Sequence, residues 1–121
     1  MTTPYPEQLR EALIRRFQWE ILFSIENAQT AVPRGGETYI AGCALRALAC
    51  AAHVLFAVNR RYLINEKGAL AGAAKLPLTV ANLTERVKSV WQAIGLCAFD
   101  VALTELGSIE HELAGLVEAA R

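Results

Sequence analysis

Histidine and cysteine are scarce in this 121-residue chain, at two and three. No Cys-x-x-Cys or His-x-x-x-His pair occurs, so no zinc site or other metal site is expected, and no cofactor in this chain. Cys43 and Cys50 lie seven residues apart. On one helix they would be separated by roughly 10 Å of rise, beyond the reach of a disulfide. Three cysteines in apolar surroundings without a disulfide framework fit a reducing cytoplasm. An excess of charge is lacking too: twelve basic residues balance twelve acidic ones. The chain therefore has no net field for non-specific nucleic-acid binding. The first twenty residues hold Glu7, Arg10, Glu11, Arg15 and Arg16 and no apolar run, so no secretory signal is expected there. No polar–apolar alternation flanked by hairpin turns competes for a strand assignment.

What is present is apolar and helical. The chain is 54% hydrophobic and 20% charged, which excludes a disordered chain and suits one domain, residues 1–121, with its own core. After Pro4 and Pro6, Leu9, Leu13, Phe17, Ile21 and Ile25 recur every four residues, widened by Ile14, Leu22 and Ala28. This predicts an amphipathic helix to Ala31. The turn "PRGG" (Pro33–Gly36) ends it. A second helix is expected from Glu37 to Leu63 and a short one at Ala69–Lys75. A fourth, capped by Thr79, runs to Ile94 with Leu83, Val87, Val90 and Trp91 inward, and a last helix spans Phe99–Ala120. Trp19 and Trp91 are expected as core or helix-contact residues rather than base-stacking platforms. The fold class is all-α, a four-helix up-and-down bundle with an additional short helix.

The second helix raises the functional question. "YIAGCALRALACAAHVLFAVNRRY" (Tyr39–Tyr62) is almost wholly apolar yet holds Arg46 and His53. It is long enough to span a bilayer, but Arg46 near its middle would cost roughly 2.5–3.5 kcal/mol there, so a buried bundle helix is expected and no membrane contact. Arg46, His53 and Arg60 are spaced seven and seven, which aligns them with Tyr39 and Gly42 along one stripe. A dry Arg46 needs a partner. Glu20 or Asp100 would satisfy it inside the bundle. Alternatively the stripe lines a cleft that receives an anion.

Arg46 and His53 also form R-x6-H, "RALACAAH". This resembles the R-x4–6-H pattern of the HEPN ribonucleases, which implies a dimeric ribonuclease with His53 as acid or base and Arg46 on the phosphate. Ala47 stands where that family commonly has a polar residue. A wider resemblance covers Tyr5 to Ala114. "LFAVNRRYLINEKGAL" (Leu55–Leu70), "RALACAAHVLFAVN" and "LIRRFQWEILFSIENA" look like the helical domain that follows the catalytic domain in bacterial nucleotidyltransferase-like proteins. That domain is similar to the C-terminal domain of the kanamycin nucleotidyltransferase type. The resemblance implies a substrate-binding and dimerising accessory domain with a nucleotidyltransferase catalytic domain as partner, in cis or in trans. It favours Asn59, Tyr62, Glu66 and Lys67 as cleft residues beside Arg46, His53 and Arg60. The same polar cluster would otherwise complement the dipole and close the end of the helix. Nucleotidyl transfer itself needs a Gly-Ser turn and paired carboxylates for two metals. The one Gly-Ser here, Gly107–Ser108, falls inside a predicted helix, and no Asp-x-Asp exists. The isolated chain is therefore expected to be inactive; a small-molecule or nucleotide substrate is compatible with this reading, and a purely structural interaction bundle is the remaining alternative.

Overall fold

The computed structural model describes residues 4–121. It is all-α, with helices α1 (Glu7–Ala31), α2 (Glu37–Val58), α3 (Ala69–Ala73), α4 (Leu83–Gly95) and α5 (Phe99–Ala119). The four long helices form the up-and-down bundle and α3 is the additional short one. Pro6 caps α1 without needing its missing N–H, and Glu7 puts a negative charge on the first turn. The α1–α2 turn is a 3-10 segment, Val32–Arg34, closed by Gly35 in the left-handed conformation at φ 64°.

The most extensive packing is α1 along α2, with α4 and α5 closing the other side. The most buried helix is α2: Ile40, Ala44, Leu48, Ala51, Val54, Leu55 and Val58 are all buried. It is the one helix among the described residues long and apolar enough to cross a membrane. Here those apolar faces meet α1, α3, α4 and α5. Its alanines let neighbouring helices approach closely, the economy expected of a central bundle helix.

Helix α2 stops five residues earlier than the hydrophobic pattern predicts. Arg60 N–H bonds Ala57 O at 3.0 Å and Arg61 N–H reaches back to Phe56 O at 2.9 Å, with Arg60 left-handed at φ 55°. This is a Schellman end built on arginine where glycine is usual. The end of α4 repeats it, with Cys97 at φ 57° and Ala98 N–H bonding Ala93 O at 2.8 Å. An L-residue is strained at such a position, so Cys97→Gly is expected to stabilise the fold by about 0.5–1 kcal/mol, read from the urea midpoint.

Three further expectations are corrected. Thr79 does not cap α4: Asn82 is the N-cap, and Thr79 Oγ1 is buried with no hydrogen-bond partner among the described residues. Trp19 and Trp91 are not core residues; both are exposed. The buried stripe of α1 runs through Arg10, Ile14, Ile21, Ser24, Ile25 and Ala28, which turns Trp19 and Leu22 outward. Val101 likewise faces solvent, because α5 buries Ala102, Leu103, Leu106, Ile109, Leu113 and Val117.

Two arginines, Arg10 buried and Arg86 partly buried, tie helices together. Arg10 is 1% exposed. It donates to Ala57 O at 3.2 Å, to Ala120 O at 3.3 Å and to Glu7 at 2.9 Å. One guanidinium thus sits at the C-terminal ends of α2 and α5, where the helix dipoles are negative. Arg86 on α4 spans to α5, bonding Glu105 and Ser108 at 2.9 Å each, and Glu112. Those three partners lie on one face of α5 because they are spaced three and four residues apart.

Candidate functional site

The structure divides the predicted site residues among three places. Arg46, Tyr39 and Gly42 line one groove, His53 and Tyr62 line a second hollow, and Asn59 and Arg60 belong to the scaffold. The seven-residue stripe holds from Tyr39 to His53 and then breaks. The helix ends at Val58, and the left-handed turn at Arg60 swings its side chain to Glu7 at 3.5 Å. Asn59 is spent on a loop. Its amide donates to Leu55 O at 2.8 Å and Leu78 O at 2.7 Å, and its oxygen accepts from Leu78 N–H at 3.0 Å. That clamp ties the end of α2 to the strap before α4. Asn59→Ala removes both bonds to Leu78 and is expected to lower stability by about 1–2 kcal/mol, seen as a reduced urea midpoint with unchanged helicity.

The groove is an open concavity of about 550 Å³ between the exposed faces of α1 and α2. Its aromatic lining is Trp19, Phe23 and Tyr39. Trp19 and Phe23 stack at 5.0 Å with planes 11° apart, and Trp19 remains 62% exposed. Four residues apart on α1, they meet on one helical face. Asn27 and the buried Ser24 add polar groups.

In the same groove Arg46 donates to Glu20 at 2.5 Å. The partner is thus Glu20 rather than Asp100, and the pair is not sealed in the core: the Arg46 side chain is 60% exposed and that of Glu20 17%. Arg16 stands 3.6 Å from the other Glu20 oxygen. Burial alone would raise the Glu20 pKa. The hydrogen bonds from Arg46 and the Cys50 thiol, with the charges of Arg46 and Arg16, outweigh it and hold the carboxyl below its usual range. Glu20 is therefore an anion at neutral pH, and Arg46 keeps free donors facing the groove.

The Cys50 thiol lies behind this pair, 3.4 Å from Glu20. Burial first, then the neighbouring carboxylate, pushes its pKa up to about 11. All three cysteines are free thiols, with Cys97 exposed and Cys50 buried. Disulfide-exchange labelling at neutral pH is therefore expected to modify Cys97 first and Cys50 only on unfolding; mass mapping of the labelled peptides checks this.

His53 lies two turns beyond Arg46 along the same face of α2, outside the groove. Its ring stacks on Phe17 at 4.2 Å with an 8° interplanar angle, and Nε2 lies 3.6 Å from Glu66. Glu66 is otherwise exposed. Lys67 donates its backbone N–H to Asn65 Oδ1 in an Asx turn, and its side chain is exposed. Tyr62 packs on Tyr5, ring centroids 4.8 Å apart. Arg46 and His53 thus line different concavities.

No family model, curated protein or solved structure matches the chain. Function therefore rests on the geometry. Among the described residues no three His, Cys, Asp or Glu side chains converge as a metal site. The residues that sequence reasoning missed are Trp19, Phe23 and Glu20 as a set. Their spacing was readable, and Trp19, two residues from both Phe17 and Ile21, lies off the predicted stripe; the expectation of burial rests on its large apolar ring, not on the period.

Proposed function

We propose that this chain is a non-catalytic helical domain, acting in the cytoplasm, whose α1–α2 groove forms one wall of a substrate cleft. A nucleotidyltransferase catalytic domain, in the same protein or a separate one, supplies the opposite wall. The observation that carries this is the open groove in which stacked Trp19 and Phe23 flank the solvent-facing Glu20–Arg46 pair. Its volume falls in the range of small-molecule sites, about 300–1,000 Å³. Such sites normally bury most of their ligand, whereas this groove is open on one side. A second wall would complete it. Exposed Trp, Tyr and Arg are also the residues that most often dominate protein interfaces. The second wall is either the catalytic domain alone or that domain together with a second copy of this chain.

The test is calorimetric titration of the chain with the nucleotidyl-transfer domain encoded in its own or the adjacent reading frame, with and without a nucleoside triphosphate. Binding is expected, weakened about tenfold by Arg46→Ala. The isolated chain is expected to transfer no nucleotide. Binding unaffected by Arg46→Ala, or no binding at all, contradicts the proposal. RNA cleavage by the chain alone, abolished by His53→Ala, would instead identify a ribonuclease of the Arg46–His53 type.

A further inference from the structure

A second concavity, distinct from the groove, lies on the other side of the Phe17–His53 stack. It measures about 280 Å³ and is enclosed by the first half of α1, the last turns of α2 and the segment just after α2. Its floor is apolar, formed by Leu9, Leu13 and Phe56. Two aromatic pairs contribute to its lining: the stacked Phe17–His53 pair and the tilted Tyr5–Tyr62 pair.

The charged side chains on its lining are basic, with Glu20 and Glu66 just outside it, each 3.6 Å from a lining residue, Arg16 and His53 respectively. Arg16 and Arg61 both line the cavity, and no carboxylate does. The Arg16 guanidinium lies 5.1 Å from the centre of the Phe17 ring, its one ion pair being the 3.6 Å approach to Glu20. Arg61 makes no side-chain hydrogen bond or ion pair among the described residues. Its neighbour Arg60 has been turned away to Glu7, and the left-handed bend at Arg60 is what brings the chain at Arg61 back over α2. Glu66 approaches His53 but lines a different hollow.

We infer that this cavity binds a small planar aromatic anion, a single ring carrying a carboxylate or a phosphate. The ring would lie on Leu9 and Leu13 beside the aromatic pairs, where offset and edge-to-face contacts are favourable. The anionic group would face the unpartnered Arg61 guanidinium, with Arg16 also on the lining. Guanidinium groups suit carboxylate and phosphate alike because both anions accept paired N–H donors. The volume, just below the usual range for ligand sites, limits the ligand to about one ring.

The test uses the intact chain and amide-resolved NMR titration with benzoate, phenyl phosphate and benzyl alcohol. One or both anions are expected to bind at about 1 mM or tighter, shifting Tyr5, Phe17, His53 and Tyr62 and leaving Trp19 and Arg46 unmoved. The tighter of the two identifies carboxylate or phosphate as the anion. Benzyl alcohol, which keeps the ring and lacks the charge, is expected to bind at least about tenfold more weakly. Arg61→Ala, at an exposed side chain without a partner, is expected to weaken anion binding about fivefold with an unchanged melting temperature. The inference is overturned by equal binding of benzyl alcohol, by Arg61→Ala leaving the affinity unchanged, or by no shifts with either anion at about 10 mM. Because these readouts involve the isolated chain and residues outside the groove, they succeed or fail independently of the partner domain.

Discussion

Arg10→Ala is expected to destabilise the bundle by about 3 kcal/mol, enough to lower the urea midpoint by about 1–2 M. Arg10 is almost wholly buried, and its guanidinium satisfies Ala57 O and Ala120 O. Alanine leaves Ala120 O without its donor and Ala57 O with only backbone donors such as Arg60 N–H, and opens a cavity where three segments meet. The cost should stay near the lower end of values for broken buried ion pairs, because Glu7 is 56% exposed and water can solvate its released charge. Arg10→Met separates the contributions. It refills most of the volume but donates nothing, so its loss should be intermediate, reporting the two carbonyls and the dipole contact. A loss below about 1 kcal/mol for Arg10→Ala would mean that the helix ends are satisfied some other way.

Trp19→Ala should have the largest effect on assembly with the proposed catalytic-domain partner. Buried interface tryptophans commonly contribute 2 kcal/mol or more, so a loss of about thirtyfold in affinity is expected. Its effect on the stability of the isolated chain should be within about 0.5 kcal/mol, because the side chain is exposed and contacts chiefly Phe23. Leu96→Ala, at another exposed apolar side chain away from the groove, is the control and should leave affinity unchanged. Calorimetry supplies the affinities and urea unfolding the stabilities. Equal losses for Trp19→Ala and Leu96→Ala would place the contact elsewhere.

The architecture is legible in the sequence because helical periodicity and the PRGG turn give four long helices in the order observed. The end of α2 is not. A left-handed arginine closes it, and no glycine or proline marks the position. That single turn removes Arg60 from the predicted stripe and redirects Asn59 to Leu78. The identity of the buried arginine is obscured for a related reason. Arg46 lies in an apolar run, so it reads as interior, whereas Arg10 lies among charged residues and reads as surface. Burial is decided by where the helix ends converge: α2 and α5 both finish against Arg10. The Glu20–Arg46 pair is visible as a possibility, because either Glu20 or Asp100 could have supplied the carboxylate. Its exposure is not, since that depends on Trp19 and Phe23 facing outward.

The measurement that bears most directly on the proposed cleft is the emission of Trp19. The chain has two tryptophans, so Trp91→Phe leaves Trp19 as the sole reporter. In the free variant its emission should be that of a water-exposed indole, readily quenched by acrylamide. Addition of the nucleotidyl-transfer domain is expected to shift the emission to shorter wavelength and protect it from quenching, with a further change when a nucleoside triphosphate is added. A complex that forms while Trp19 stays fully quenchable, with nucleotide present or absent, would contradict the assignment of the α1–α2 groove as the shared wall.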